Sequence, residues 1–385
     1  MEAERFLGRN FVFCQMTSNK EELNTMRQAM KQVIGERVLW ALDSSEFNPE
    51  TGDGFLSGWL IDVRSFAERS KGLAFKIDGK IYPLSNSIRC KRGDVLKVFQ
   101  FLLDEGGSVA DELGFSLKFQ LGRLPAMSDA IEVAVVDLQS GAPISTAGSY
   151  FISCREKYPI PGQDSRYRVH GNAGESSFLN LGLLLASQID RLARQYAGVS
   201  LEDAAVLDWG CGCGKVARYL SDRCPDYTGI DIDKENVQWC SSHLPGAYHH
   251  IDTSPPTSLA SSRFDLIFGI SVFTHLTETS QVQWLAELSR LAKPGATVLV
   301  STLGNLGACR SGSPPTFEML QTSGYLDTGA DTILEGFAPD GYYRTAFHSK
   351  KYIESTWSKY FSVVDVVEGA IAGHQDFVIL RKQAS

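Results

Sequence analysis

A glycine-rich turn within residues 204–220 constrains the fold of this chain more than any other stretch. In the segment AAVLDWGCGCGKVARYL, a short apolar run ends at Asp208, and a helical pattern begins after Gly210, Gly212 and Gly214. Glycine tolerates a tight turn and lets a ligand approach the backbone closely. The start of the following helix leaves N–H groups without intrahelical partners, and these can face a ligand. A strand, a glycine turn and a helix together predict the opening unit of a nucleotide-binding α/β domain.

The spacing of these glycines argues against two common phosphate-binding motifs. The dinucleotide pattern G-x-G-x-x-G places its third glycine one position later, where this chain has Lys215. A P-loop requires four residues between its glycines and a Ser or Thr after the lysine, whereas Val216 follows Lys215 here. The pattern D-x-G-x-G-x-G instead resembles the first motif of the class I S-adenosylmethionine-dependent methyltransferases. A glycine turn in an unrelated α/β fold is the alternative.

Length and charge limit the classes of protein to be considered. A chain of 385 residues predicts two domains, because a single core rarely grows beyond ~250–300 residues. The formal net charge of −8 argues against general binding of nucleic acid or of anionic membranes. No apolar stretch approaches the ~20 residues of a membrane span, and the charged N-terminus lacks the apolar core of a signal peptide.

The eight cysteines are scattered along the chain without paired spacing. This usage predicts a reduced, cytoplasmic protein. Cys211 and Cys213 lie close together within the glycine turn. The need for small residues in that turn explains them better than a zinc pair does, so we predict no metal site.

The first 145 residues have the pattern of a small, mainly-β domain with a leading helix. A short strand is possible at 11–13, and apolar residues three and four apart predict a helix at 17–34. Turn signals separate the apolar runs that follow, and Asp78-Gly79 between two of them is a hairpin signal. Short strands at this spacing are typical of a β-sandwich, and we expect them at 38–42, 58–63, 73–77, 80–84, 94–99, 115–121 and 131–138.

A Gly-, Pro-, Ser- and Thr-rich stretch, SGAPISTAGS, predicts a domain boundary between residues 145 and 146. The pattern before it resembles β-sandwich modules attached to bacterial glycan-processing enzymes, and a generic β-domain without a ligand is the alternative. The resemblance implies that this domain positions a glycan acceptor or a partner enzyme. An exposed Tyr82 could give the domain a shallow sugar-binding face, and a packed Tyr82 is the alternative. We expect the cofactor pocket to lie wholly in the later part, so that a chain beginning near Ser149 still binds cofactor.

Residues 146–385 alternate between helical and strand patterns, which predicts a doubly wound parallel sheet of the Rossmann-like type. Residues 303–347 are rich in Gly and Pro and break the alternation, and a connection of that length is usually functional, for example a lid. The closing strand pair resembles the antiparallel ending of a methyltransferase sheet. Helices are expected at 177–196, 234–242, 278–292 and 349–360, and strands at 205–207, 227–232, 247–251, 264–270, 297–301, 363–367 and 377–380.

Acidic residues follow two of the expected strands. Asp231 ends the second strand, about twenty residues after the glycine turn, where nucleoside-binding folds bond the ribose hydroxyls. Asp233 fits the N-cap of the next helix better than Asp231 does. Asp252 follows the third strand, and it either approaches the adenine amine, as the methyltransferase resemblance implies, or serves a simple turn.

The methyltransferase resemblance covers residues 158–382, including VLDWGCGCGKVARYL, YTGIDIDKENVQW, FDLIFGISVFTHL and WLAELSRLAKPGATVLVST. These segments resemble a bacterial class I methyltransferase group associated with glycan biosynthesis. The resemblance implies S-adenosylmethionine as cofactor, with the methionine part bordered by Asp208 and the glycine turn and the ribose held by Asp231. The implied cofactor residues are Asp208, Gly210, Gly212, Gly214, Asp231, Ile232, Asp252 and Ser271, and Ser271 with Phe273 would border the transferred methyl group.

A hydroxyl acceptor must lose its proton, and a histidine suits that task near neutral pH. His275 follows the fourth strand, on the loop that faces the methyl group, and His348 precedes the last helix, where it could face the same cleft. A buried structural histidine is the alternative for His275. Tyr342, Tyr343 and Arg344 could line a sugar site or lie exposed.

The sequence therefore predicts an S-adenosylmethionine-dependent methyltransferase that O-methylates a sugar hydroxyl in glycan or polysaccharide biosynthesis. The acceptor could instead be a small metabolite or a protein side chain. A non-catalytic binding module that joins partner glycan-assembly enzymes is a further alternative. The glycine spacing argues against a dehydrogenase, and the sequence Gly269-Ile270-Ser271-Val272-Phe273 lacks the last glycine of a serine-hydrolase elbow.

Overall fold

The computed structural model describes residues 20–64, 72–102, 112–122, 130–144, 147–311 and 313–383. The strand expected at 11–13 and the first residues of the helix expected at 17–34 lie outside these ranges. In the part of the chain that is described, no helix combines the length and the apolar character needed to cross a membrane.

The N-terminal part consists of two four-stranded antiparallel sheets, with strand orders β1-β2-β6-β5 and β4-β3-β7-β8. Most of the expected strands are present, and the Asp78-Gly79 turn joins β3 to β4 with Asp78 at φ 45°. The elements are α1 (Lys20–Ile34), β1 (Val38–Phe47), β2 (Asp53–Asp62), β3 (Leu73–Ile77), β4 (Lys80–Pro83), β5 (Ile88–Cys90), α2 (Gly93–Val98), β6 (Gly114–Gln120), β7 (Ala130–Asp137) and β8 (Ser149–Ser153).

Side chains from the two sheets form one apolar core. The ring of Phe75 in β3 lies 5.6 Å from that of Trp40 in β1 and 4.7 Å from that of Phe115 in β6. Alternate residues of each strand supply this core, because successive side chains of a strand point to opposite faces. Tyr82 is half-buried, and its hydroxyl donates to the carbonyl of Gln120 (2.6 Å), so its polar group is already used within the fold.

Two expectations for this part are wrong. Residues 94–99 were expected as a strand but lie mostly in α2, because Val95, Val98 and Phe99 have the i, i+3, i+4 spacing of a buried helix face. The boundary between 145 and 146 separates β8 from the sheet to which it belongs, since β8 pairs with β7 throughout its length. The N-terminal sheets therefore extend to Ser153.

The later part contains the expected alternation of helices and strands. Most predicted elements lie within a few residues of their expected bounds. They are α3 (Gln163–His170), α4 (Glu175–Leu192), β9 (Ala205–Trp209), α5 (Ala217–Leu220), β10 (Asp226–Asp231), α6 (Lys234–His243), β11 (Ala247–His250), β12 (Phe264–Gly269), α7 (Glu278–Leu291), β13 (Ala292–Thr302), α8 (Asn305–Arg310), α9 (Pro314–Ser323), β14 (Tyr325–Ala330), β15 (Arg344–His348), α10 (Lys350–Thr356), β16 (Ser362–Ile371) and β17 (Gln375–Arg381).

The central sheet has seven strands in the order β11-β10-β9-β12-β13-β17-β16. The first five are parallel, and β17 pairs antiparallel with both β13 and β16. Its two faces are covered by separate apolar cores, and neighbouring residues of β9 alternate between them: Val206 packs on the α4 side and Leu207 on the α7 side. From β9, the strands β10 and β11 extend the sheet to one side, and β12 and β13 extend it to the other. Ligands of such sheets bind in the crevice at this switch point.

Residues 303–347 form an insert of two helices and a strand pair rather than an irregular loop. Its apolar residues share a core with the N-terminal part. Phe317 and Leu320 of α9 pack in the same cluster as Met30 of α1 and Trp59 of β2. The guanidinium of Arg310 lies 5.4 Å from the Trp59 ring centre. The N-terminal part is thus packed against the insert by buried apolar contacts.

We predict that Phe317→Ala lowers the free energy of unfolding by about 3–5 kcal/mol, because it leaves a cavity in this shared core. Urea unfolding followed by circular dichroism would measure the change. Met319→Ala on the same helix is the matched control, since Met319 is 49% exposed and its truncation should alter stability by no more than about 0.5 kcal/mol. Equal effects of the two substitutions would contradict the shared core.

Candidate active site

A cavity opens at the carboxyl edge of the central sheet, and its volume is about 1000 Å³ when the open solvent at its mouth is included. Residues that follow β9, β10, β11 and β12 line it, as expected for a ligand at the switch point of such a sheet. Among the described residues, the first lining residue in the chain is Arg168. The expected cofactor residues Asp208, Gly210, Gly212, Asp231, Ile232 and Ser271 all lie in this lining.

The glycine turn adopts left-handed backbone, with φ 78° at Gly210 and 53° at Gly212. A Cβ atom at Gly212 would lie 2.7 Å from Cγ2 of Val169, and one at Gly210 would lie 2.4 Å from Cγ2 of Val272. Any larger residue would therefore clash with the cavity wall as well as strain the turn. Gly214 is also left-handed, but it packs against Leu244 behind the turn and lies outside the lining.

Backbone hydrogen bonds join the turn to the end of β10. The N–H groups of Gly210 and Cys211 both donate to the carbonyl of Ile230, at 2.8 and 3.1 Å. The Gly212 N–H donates to Oδ2 of Asp231 at 2.7 Å, and the Asp233 N–H donates to Oδ1 at 2.8 Å. Each carboxylate oxygen of Asp231 thus keeps a further lone pair for a hydroxyl group.

Burial raises the pKa of Asp231 to about 6, even though the backbone hydrogen bonds from Asp233 and Gly212 favour the charged form. Asp233 caps α6 as expected, since its Oδ1 accepts from the N–H groups of Glu235 and Asn236. Asp231 is therefore available to a ligand, and the helix cap is a separate residue.

Asp208 is buried at the end of β9, where the hydroxyl of Tyr227 donates to its Oδ2 at 2.7 Å. Burial raises the pKa of Asp208 to about 7, and the hydrogen bond from Tyr227 only partly offsets it. A positively charged ligand group near this carboxyl would favour its ionised form.

The short helix α3 covers the glycine turn, a role that sequence reasoning missed. The buried Arg168 of this helix donates from Nε to Oδ2 of Asp233 (2.8 Å) and from Nη2 to Oε2 of Glu235 (3.0 Å). The ring of Phe337, from the insert, lies 3.8 Å from the Arg168 guanidinium. The sequence carried a signal in the two arginines, Arg166 and Arg168, of one short helix, but only the structure brings Arg168 next to Asp233.

His275 lies in the cavity wall on a 3₁₀ turn, Phe273–His275. Its Nδ1 lies 2.7 Å from the carbonyl oxygen of Arg344. Because a carbonyl only accepts, Nδ1 carries the proton and Nε2 is left as an acceptor. The Tyr343 ring stacks on the imidazole with ring centres 3.8 Å apart. Burial lowers the pKa of His275 to about 4, so the ring is neutral at pH 7.

Ser271 follows β12 with left-handed backbone, φ 57°, which is uncommon for a residue other than glycine. Its N–H donates to Oγ of Ser301 (2.7 Å), and its hydroxyl lies within hydrogen-bond distance of the Gln375 amide. These contacts hold Ser271 in the cavity wall. Phe273, expected beside the methyl group, is instead fully buried in the core against Trp209 and Trp357.

The expectation that His348 faces the cleft is wrong. His348 is 1% exposed and lies outside the lining, packed against Trp357 and Tyr325. Its Nε2 lies 2.9 Å from Oε1 of Gln281, whose amide nitrogen donates to the carbonyls of Phe273 and Leu276. His348 is thus a core residue behind the turn that carries His275, because β15 directs it inward.

Asp252 lies at the surface, outside the lining, while its neighbour Ile251 is part of the lining. The structure therefore does not bring Asp252 together with the other expected cofactor residues. The strand β11 ends at His250, and the side chains of Ile251 and Asp252 that follow it point in different directions. The position of a residue after a strand therefore does not decide by itself whether it faces the cleft.

Part of the insert covers the cavity, in agreement with the expectation of a functional connection at 303–347. Leu334, Tyr342 and Tyr343 line the cavity from this side. The hydroxyl of Tyr342 donates to the carbonyl of Thr253 (3.1 Å), and the Asp331 N–H donates to the carbonyl of Tyr343 (2.8 Å). We call residues 331–343 the roof.

Part of this chain is similar to known methyltransferases. Residues 207–300 match the family model described as a methyltransferase domain. The chain is 30% identical over 121 residues to a ubiquinone biosynthesis O-methyltransferase of Alkalilimnicola ehrlichii, which covers 30% of this chain and 47% of that protein. It is 28% identical over 102 residues to a malonyl-[acyl-carrier protein] O-methyltransferase of Pseudescherichia vulneris, covering 26% and 40% of the two chains. The chain thus spans about half the length of the curated relatives it matches.

Among solved structures, magnesium protoporphyrin IX methyltransferase from Synechocystis, with bound S-adenosylhomocysteine, is similar at a TM-score of 0.39 and 16% identity, over 57% of this chain and 94% of that one. A methyltransferase from Methanosarcina mazei is similar at a TM-score of 0.38 and 20% identity, over 50% of this chain and 98% of that one.

The matched segment is a class I methyltransferase domain, and S-adenosylmethionine is the cofactor of this class. The residues present fit that cofactor. Any Cβ atom on Gly210 or Gly212 would clash with the cavity wall, and Asp231 offers carboxylate lone pairs that suit the two ribose hydroxyls. In the described ranges, no group of three His, Cys, Asp or Glu side chains could hold a metal ion.

We predict that Asp231→Asn weakens binding of S-adenosylhomocysteine by about 1–3 kcal/mol, because a charged hydrogen-bond acceptor is lost. Isothermal titration calorimetry would measure the affinity. Asp226→Asn is the matched control, since Asp226 lies exposed at the other end of the same strand. Unchanged affinity in Asp231→Asn would remove this residue from the ribose site.

We also predict that the affinity for S-adenosylhomocysteine falls as the pH falls through about 6, the pKa of Asp231. Only the carboxylate accepts two hydroxyl hydrogen bonds, so the affinity at pH 5 should be about tenfold below that at neutral pH. Calorimetry across this range should show that the affinity of Asp231→Asn depends less steeply on pH. The dependence that remains would come from Asp208. An identical slope in the variant would contradict the assignment.

Proposed function

We propose that this protein is an S-adenosylmethionine-dependent O-methyltransferase in which His275 accepts the proton of the acceptor hydroxyl. The observation that carries the proposal is a neutral imidazole in the cavity wall, with Nδ1 bound to the Arg344 carbonyl and Nε2 left as an acceptor. O-methyl transfer is also the activity named for the relatives that match the same domain.

The cofactor supplies an electrophilic methyl group when bound. The chain's own residues align the acceptor and exclude water from it, which provides much of the catalysis in a displacement of this kind. The Arg344 carbonyl and the Tyr343 ring hold the imidazole of His275 in one orientation. Its Nε2 then takes the proton that the hydroxyl must lose.

For the acceptor we propose a sugar hydroxyl of a glycan. Aromatic side chains support this choice, because Tyr342 and Tyr343 of the roof line the cavity and flat rings pack well against sugar rings. A hydroxyl on a small metabolite is the second candidate, and the names of the relatives favour it. A labelled-methyl screen with activated sugars, oligosaccharides and small phenols would distinguish the two.

We propose further that the two N-terminal sheets form a β-sandwich domain that positions a glycan or a partner glycan-assembly enzyme. The single core between the sheets supports the sandwich. Among the described residues, none of this part lines the cavity, so any acceptor contact it makes lies outside the cofactor site. Binding of oligosaccharides to the full chain, with a binding site mapped by protection from hydrogen exchange, would test this role.

We predict that His275→Ala lowers turnover of the acceptor by about 10²–10⁴-fold, because the general base is removed. The affinity for S-adenosylhomocysteine should change little. His249→Ala is the matched control, since His249 is exposed on β11. Transfer of labelled methyl measures turnover, and undiminished transfer by His275→Ala would exclude His275 as the base.

A further inference from the structure

A buried glutamine lies directly behind the 3₁₀ turn that carries His275. Gln281, near the start of α7, is fully buried. Its amide nitrogen donates to the carbonyl of Phe273 (3.1 Å) and to that of Leu276 (3.0 Å). These carbonyls belong to the first residue of the turn and to the residue directly after it. One side chain therefore joins both ends of the segment that carries His275.

The turn is held only in part by its own backbone hydrogen bonds. The His275 N–H donates to the carbonyl of Val272 at 2.9 Å, whereas the Leu276 N–H lies 3.5 Å from the carbonyl of Phe273. A hydrogen bond as long as the second one is weak. Without Gln281, the Phe273 carbonyl would have this weak bond in place of a good one. The glutamine thus strengthens the turn where its own backbone bonding is poorest.

His348 fixes the orientation of the Gln281 amide. Since carbonyls only accept, the amide nitrogen of Gln281 faces the turn and its Oε1 faces the other way. Nε2 of His348 lies 2.9 Å from this oxygen, so Nε2 carries the proton and donates it. Within the described part of the chain, Nδ1 of His348 has no hydrogen-bond partner. Burial lowers the pKa of His348 to about 3, so the imidazole is neutral at pH 7.

Other buried groups hold this pair in the core. The His348 ring lies 5.8 Å from the ring of Trp357 and 5.4 Å from that of Tyr325. The Tyr325 hydroxyl also donates to the carbonyl of Leu276 (3.0 Å), which therefore accepts from Tyr325 and from Gln281. The segment after β12 is thereby bonded to α7 and β14, and through Gln281 to β15.

The contacts on the cavity side of the turn act on the imidazole ring of His275 alone. The Arg344 carbonyl accepts from Nδ1, and the Tyr343 ring stacks on the imidazole. Arg344 and His348 are the two ends of β15, so one strand bonds the ring of the base at one end and supports the turn behind it at the other. The contacts to the ring determine how it is rotated, and the bonds of Gln281 determine where its backbone lies.

We propose that Gln281 and His348 are positioning residues of the reaction, which hold the turn in the place from which Nε2 of His275 reaches the acceptor hydroxyl. The inference rests on the proposed function, since it takes His275 as the base. A displacement of about 1 Å in an active site can lower the rate by about 10²-fold, so a support of this kind has a measurable effect. Neither residue touches the cavity, and both act through the turn.

Nuclear magnetic resonance of the full chain with isotope-labelled histidine tests the proposal without an acceptor. Gln281→Met keeps a side chain of similar length and removes the donors. The freed turn should admit water to the imidazole, so the pKa of His275 should rise from about 4 toward the ordinary value of about 6.5. Gln283→Met is the matched control, since Gln283 is exposed on the same helix. An unchanged titration of His275 in Gln281→Met would overturn the proposal.

The effect on catalysis is measured as transfer of labelled methyl to the best acceptor among activated sugars, oligosaccharides and small phenols. Gln281→Met should lower kcat by about 10–100-fold and leave the affinity for S-adenosylhomocysteine within about threefold. The same substitution in His275→Ala should lower kcat no further, because the base whose position it sets is gone. An equal loss in both backgrounds would mean that Gln281 supports the fold in general, and it would overturn the proposal.

Two substitutions of His348 separate its hydrogen bond from its packing. His348→Gln can still donate to Oε1 of Gln281, whereas His348→Leu cannot. The pKa of His275 should stay near its wild-type value in His348→Gln and rise in His348→Leu. Identical titrations of His275 in the two variants would remove His348 from the proposed pair.

The wild-type protein supplies a check should the variants fail to fold. The nitrogen chemical shifts of His348 distinguish its two neutral tautomers, and the proposal requires the proton on Nε2 from about pH 8 to about pH 5. A proton on Nδ1 would overturn it. Failure of the proposed function is a different result, because the wild-type protein would then transfer methyl to none of the acceptors, whatever the tautomer of His348.

Discussion

The structure depends on the hydrogen bonds that join the glycine turn to the end of β10. The Ile230 carbonyl accepts two N–H groups of the turn, and Asp231 accepts a third from Gly212. These bonds satisfy the backbone of a left-handed segment that would otherwise be buried without partners. They also set the distance between the turn and the acidic strand end, which are the two parts of the cofactor site.

The second constraint is the packing of the insert on both sides. Its helices share a core with the N-terminal part, and the roof lines the cavity. Arg344, the first residue of β15, supplies the carbonyl that orients His275. His275 and the N-terminal sheets are therefore both packed against the same insert. Removing the N-terminal part, as the boundary between 145 and 146 suggested, would expose Phe317 and Leu320 to water.

The spacing of apolar residues was sufficient to predict the strands of the central sheet and the helices beside it, because their periodicity is strong. It failed at 94–99, where a short apolar run fits a strand and a helix equally. It was also insufficient for the histidines. In the sequence His275 follows the fourth strand and His348 precedes the last helix, and both were candidates for the cleft. One lines the cavity and the other is bonded to Gln281 in the core.

The sequence by itself determined the glycine turn, the order of strands and helices, and the placement of Asp231 at a strand end, because each follows from residues close together in the chain. Only the tertiary structure decided which side chains meet at the cavity. Arg168, Lys215, His275 and the roof come from separate segments, and the packing of the insert and of α3 onto the sheet brings them together. Contacts between distant segments depend on that packing, which local periodicity does not encode.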